Sequence, residues 1–184
     1  MESSDLVTLG LDISTSITGA TVLDKSGEIL YSEAWDTRNK NKFSTLYDKA
    51  QFVKCRLLEL QARWQIKEIF IEQSLQSFRS GFSSARTLST LSRFNGIISW
   101  LCYDIFQIEP QMIAAASARK RAGIKIDRSK DTKAQILQFY LDKNPNIKVE
   151  YTHKGNPKPK YKDIADSWVV AVAGLQICQE KNIN

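Results

Sequence analysis

Three short apolar runs crowd the first 35 residues of this 184-residue chain, and the links between them are too short to hold a helix. They are residues 6–12 (LVTLGLD), 18–24 (TGATVLD) and 28–35 (EILYSEAW), and Asp24-Lys25-Ser26-Gly27 marks a turn between the second and third. A parallel connection between neighbouring strands needs a dozen or more residues, whereas a few suffice for a hairpin. The chain must therefore open as a three-stranded antiparallel meander, and the remaining elements have to build onto that sheet.

Beyond the meander, helix and strand alternate. Residues 44–64 place Leu46, Ala50, Val53, Leu57, Leu60 and Trp64 at spacings of three and four, the period of an amphipathic helix. Residues 68–72 (EIFIE) are a buried strand that arrives after a helix, as a parallel crossover requires. A second helix spans 83–106, with Leu88, Leu91, Ile98, Leu101 and Ile105 in one stripe and Phe94 and Trp100 off it. That second apolar patch serves either the core or a subunit contact. Residues 110–114 predict a fifth strand, and 117–122 a short basic helix closed by Gly123. Residues 131–143 predict a helix with Asp131 as its N-cap. A loop over 144–161, with an extended stretch at 147–151, leads to a final helix over 162–180. The order β-β-β-α-β-α-β-α-α-α predicts one α/β domain over all 184 residues. Its sheet is mixed and five-stranded with helices on both faces, a ribonuclease H-like arrangement.

Composition removes several function classes. With 42% hydrophobic and 25% charged residues the chain is an ordinary globular one. Its start lacks the positive flank and apolar stretch of a secretory signal, and its most apolar late run (167–177) is too short to span a bilayer. Cys55, Cys102 and Cys178 are odd in number, far apart and in apolar helical contexts. They read as buried reduced thiols in a reducing interior compartment, not as a disulfide frame or zinc site. A single histidine, His153, excludes a histidine-rich metal site. The net charge of +6 is concentrated between Arg119 and Lys162, where thirteen basic side chains face four acidic ones before Asp163. Such a block attracts phosphate backbones and makes binding salt-dependent.

Against this basic background stand four acids: Asp12, Glu72, Asp163 and Asp166. Asp12 ends the first strand and Glu72 the fourth, where α/β proteins build sites. Asp163 and Asp166 lie three apart at the start of a helix and so share a face. Singly, each has an ordinary role: a turn aspartate, an ion-paired glutamate, or first-turn acids favoured by the helix dipole. Together they are a set of hard oxygen donors, which repel one another unless cations neutralise them and which suit Mg²⁺. Two such ions about 3.5–4 Å apart can clamp the attacking and leaving oxygens of a phosphodiester. Acids for metal in a basic chain point to a nuclease.

The segments LGLDISTSITG (9–19), IFIEQ (69–73) and DIADS (163–167) resemble the three acidic motifs of RuvC-type Holliday junction resolvases, in order and at similar separations. The resemblance implies a homodimer that binds branched DNA at a four-way junction. It also implies that two opposed strands are nicked with Mg²⁺ or Mn²⁺, two ions per site. Asp12, Glu72, Asp163 and Asp166 match the family's metal-binding acids. Lys133, in DTKAQI, matches one assisting basic residue, and Arg119 or Lys120, in ASARKR, the other. The neighbouring Arg121, Lys125, Arg128 and Lys130 are expected to bind the DNA backbone. The family's base-contacting aromatic would fall on Leu75, which departs from the pattern; Phe78, beside Arg79, could shift into that role.

Other classes are less well supported. Residues 12–19 (DISTSITG) also resemble the phosphate-binding turn of actin-like ATPases and sugar kinases, but the chain has no room for the second domain those need. A nuclease of the same fold acting on flaps, other branched DNA or RNA–DNA hybrids is the nearer alternative.

Overall fold

The computed structural model describes residues 7–73 and 85–183. Its elements are β1 (Val7–Asp12), β2 (Ile17–Leu23), β3 (Ile29–Asp36), α1 (Leu46–Arg63), β4 (Ile66–Glu72), α2 (Ala85–Phe106), β5 (Gln111–Ile113), α3 (Ala115–Arg121), α4 (Thr132–Lys143) and α5 (Lys160–Ile183). They form one five-stranded sheet in the order β3-β2-β1-β4-β5. β1, β2 and β3 pair antiparallel, while β4 and β5 add in parallel on the other side of β1. The expected extended stretch at 147–151 reduces to a single bridge between Tyr151 and Pro157.

Successive strand residues point to opposite faces, so each strand divides its side chains between two cores. Leu9 and Leu11 of β1 and Ile69 and Ile71 of β4 pack with Val53 and Leu57 of α1 and with α2. Phe70, from the same β4, instead joins Ile113, Ile136, Tyr140, Trp168 and Val170 on the face covered by α3, α4 and α5. α1 starts with a reciprocal cap: the Thr45 hydroxyl accepts from the Asp48 amide, and the Asp48 carboxylate accepts from the Thr45 amide. α4 starts as expected on Asp131, whose carboxylate accepts from the Ala134 amide.

Two expectations need correction. Phe94 is fully buried, because the helical period carries the core face of α2 from Phe94 through Ile98 and Leu101 to Ile105. The outward apolar side chains are Trp100 and Tyr103, with 60% and 50% of their surfaces exposed. Cys55 is also exposed, since it lies about 200° around α1 from both Val53 and Leu57. Cys102 and Cys178 are buried, and burial pushes their thiols up to about 12 and about 11. Among the described residues no helix is long and apolar enough to cross a membrane.

Candidate metal and nucleic-acid site

The strand directions bring five chain ends to one end of the sheet. β1, β4 and β5 finish there at Asp12, Glu72 and Ile113; antiparallel β2 begins there at Ile17, and β3 ends there at Asp36. Leu11 lies opposite Ile71, so Asp12 and Glu72 come next on adjacent strands. Period-two alternation puts Asp12 on the face of Gly10, which meets α5, and Glu72 on that of Phe70, which also meets α5. Both carboxylates are thereby directed to the side from which α5 approaches.

Two glycines let α5 come close enough. A Cβ at Gly10 would sit 2.4 Å from the Ala171 backbone nitrogen, and one at Gly19 would sit 2.1 Å from the Asp163 carbonyl oxygen. Gly19 is also the strand partner of Asp12, so the missing side chain seats the first turn of α5 beside that acid. A hydroxyl relay then pins the helix. Ser167 donates to the Ile164 carbonyl at 2.8 Å; having one proton, it must accept from Thr21 at 2.8 Å, and Thr21 in turn accepts from Ser32 at 2.8 Å. The turn after Asp12 is closed by Ser14, whose hydroxyl accepts from the Ile17 amide at 2.9 Å and donates to the Ile17 carbonyl at 2.7 Å. Thr37 and Lys49 donate to that turn's Ser16 and Thr15 carbonyls.

The assembled acids push one another's proton affinities up. Burial raises Asp12 well above the usual carboxylate range, and Glu72, Asp166 and Asp163 add to it. Glu72 is pushed up to about 7, chiefly by burial and then by Asp166, while Arg119 and Lys133 draw it down. Asp163 and Asp166 are raised by burial in the same way. Lys133 is the charge common to all four. Its ammonium lies 3.2 Å from Asp166; burial works against its charge, yet Asp166, Asp12 and Asp163 outweigh that and raise it. The ion pair does not bring Asp166 down in turn, because burial exceeds what one half-exposed lysine supplies. Among the described residues no group of three or more His, Cys, Asp or Glu is set closely enough to hold an ion. Lys133 thus pairs with Asp166 and acts electrostatically on the other three carboxylates, and among the described residues the four form no closed coordination shell.

Of the other basic residues singled out from sequence, Arg119 draws down Glu72 and Asp166, while Lys120 is next to it in α3. Arg121 is turned to α5, where it bonds both carboxylate oxygens of Glu180 at 2.9 and 2.8 Å. Lys130 lies 3.5 Å from Asp127, and Lys125 and Arg128 are exposed in the loop between α3 and α4. Leu75, Phe78 and Arg79 lie outside the described residues. Sequence reasoning missed Arg38, which acts on Asp163 from the loop after β3. The available signal was its place just past a strand that had to end at the same sheet edge as Asp12.

Solved structures share this architecture. Thermus thermophilus RuvC in complex with Holliday junction substrate superposes with a TM-score of 0.67 at 12% identity, over 95% of this chain and 96% of that one. The chain has the RuvC-type resolvase fold. A second T. thermophilus RuvC structure gives 0.65 at 13% identity over 96% and 97% of the two chains. The yeast mitochondrial Holliday junction resolvase Ydc2 gives 0.60 at 16% identity, over 96% of this chain and 82% of that one. No family model and no curated protein sequence matches the chain. The RuvC-type fold is therefore carried by structure at low identity, with strand order β3-β2-β1-β4-β5 and helices on both faces of the sheet.

Proposed function

We propose that the protein is a structure-specific endonuclease that resolves four-way DNA junctions by nicking two opposed strands. The observation that supports this most is the meeting of Asp12, Glu72, Asp163 and Asp166, from three separate stretches of chain, around one lysine at one end of this fold. The donor set is all carboxylate oxygen, and its raised proton affinities reflect burial and negative charge in excess of what Lys133 neutralises. Hard divalent cations would suit such a set, Mg²⁺ first and Mn²⁺ in its place, with two ions per site. Bound there, they would supply positive charge at the scissile phosphate and acidify the attacking water.

The chain's own residues do the rest. Asp12 and Glu72, with Asp166 or Asp163, would hold the ions. Lys133 and Arg119 offset the negative charge that grows on the phosphorus centre. Lys120, Lys125, Arg128 and Lys130 extend the positive surface along the DNA backbone. Arg121, spent on Glu180, contributes less. Symmetric nicking needs two such sites related by a two-fold axis, which an isologous homodimer supplies. The groove of about 730 Å³ between the start of α1 and the middle of α2 is the surface for it, since Tyr47, Ile97 and the exposed Trp100 line it.

Labelled four-way, flap and linear DNA incubated with the protein and Mg²⁺ test the reading. Paired nicks in the junction, absent with a chelator, are expected. Preferential cutting of flaps would move the assignment to the nearer alternative, and no cutting of any substrate would contradict it.

A further inference from the structure

On the β3 side of the acids lies a groove of about 590 Å³ lined by Asp36, Arg38, Asn39, Lys42, Phe43 and Phe52. Arg38 is oriented there: its Nε bonds Asp36 Oδ1 at 3.0 Å and its Nη2 bonds Oδ2 at 2.6 Å, a fork-to-carboxylate arrangement that fixes the guanidinium plane. Among the described residues nothing accepts from its Nη1 edge. Lys42 is held by a tight turn in which its amide and that of Asn41 donate to the Asn39 side chain and the Phe43 amide donates to the Asn39 carbonyl. Phe43 anchors this turn in the core, and the Lys42 ammonium lies 5.3 and 5.7 Å from the Phe43 and Phe52 ring centres. Two cations are thus preset in one open groove, with Asp36 engaged as the orienting group.

The groove lines up with the catalytic end of the sheet. Arg38 follows β3 at one edge of the sheet and Arg119 lies in α3, which follows β5 at the other edge, so the two arginines stand on opposite sides of the acids that end β1 and β4. β3 is two strand intervals from β1, about 10 Å at the usual spacing. Held on Asp36 in this groove, the Arg38 guanidinium is placed to meet a phosphate farther along the same strand.

We propose that the Arg38–Lys42 groove binds the phosphodiester backbone of the substrate strand beyond the scissile phosphate, on the side opposite Arg119. This rests on the nucleic-acid reading above, and its test separates the two. The double variant Arg38→Gln/Lys42→Gln changes exposed side chains only. Its binding, and that of the wild type, would be measured without divalent metal on a four-way junction and on a linear duplex between 50 and 200 mM salt. Losing two phosphate contacts should make the slope of log affinity against log salt shallower by about 1.4–1.8. An unchanged slope, with the wild type binding and cutting junctions, overturns the groove alone. A shallower slope on both DNAs, with no junction cutting by the wild type, keeps the groove and overturns the junction assignment. Wild-type protein that binds neither DNA overturns both.

Discussion

At the scale of single residues, Glu72 records the conflict between stability and chemistry. Its carboxyl is raised to about 7 from an ordinary value of 4.5, by burial first and Asp166 second. Between those two values the folded chain holds a proton that the unfolded chain has released, so stability falls as pH rises through this window and stays low above it. The same sign holds for Asp12, Asp163 and Asp166, all raised, and Lys133 limits the loss by serving all four. Glu72→Gln should therefore stabilise the metal-free protein near pH 8, by up to about 3 kcal/mol at about 1.4 kcal/mol per tenfold change in proton affinity. The gain should shrink toward zero near pH 4. Urea denaturation of both proteins across that range measures it. A variant no more stable than wild type near pH 8 would show that Glu72 is not strained by its neighbours.

At the scale of elements, the site depends on how closely α5 meets the sheet. A Cβ at Gly19 would collide with backbone, the Asp163 carbonyl, and backbone cannot rotate away as a side chain end can. Gly19→Val should cost roughly 1–3 kcal/mol as overpacking and displace the turn carrying Asp163, lowering cleavage more than DNA binding. Equal losses of the two would contradict that placement. The elements were largely legible in the sequence because β1 to β4 are short apolar runs with close links or turn signals, whereas α1 repeats its apolar residues at three and four and α4 begins on an N-cap aspartate. The acids were legible because each ends or starts an element. The features that were not legible depend on which way a side chain faces. Phe94 lies in the core face of α2 once Ile98 fixes that face, whereas a stripe drawn through Leu88 and Leu91 leaves it outside. Arg121 is in the basic run, yet the packing of α3 against α5 gives it to Glu180. Arg38 joins the site only through sheet topology, since it lies more than a hundred residues from Asp163 in sequence.

At the scale of the whole molecule, the account needs two copies and one chemical centre in each. Trp100, Tyr103 and Tyr47 remain uncovered, while the core beneath them is complete without them. Trp100→Glu should leave a folded monomer by sedimentation that nicks at most one strand, whereas Phe94→Glu places a charge in the core and should unfold the chain. A Trp100→Glu protein that stays dimeric would move the interface elsewhere. The central claim is that Asp12, Glu72, Asp163 and Asp166 perform metal-dependent phosphodiester cleavage while the basic surface holds the DNA. It is tested most directly by measuring junction binding and Mg²⁺-dependent nicking together for wild type and Asp166→Asn. The account predicts that Asp166→Asn binds the junction as wild type does and cuts it at least 10²-fold more slowly, roughly the loss expected when one electrostatic contribution to the transition state is removed. Cleavage by Asp166→Asn at the wild-type rate would contradict it.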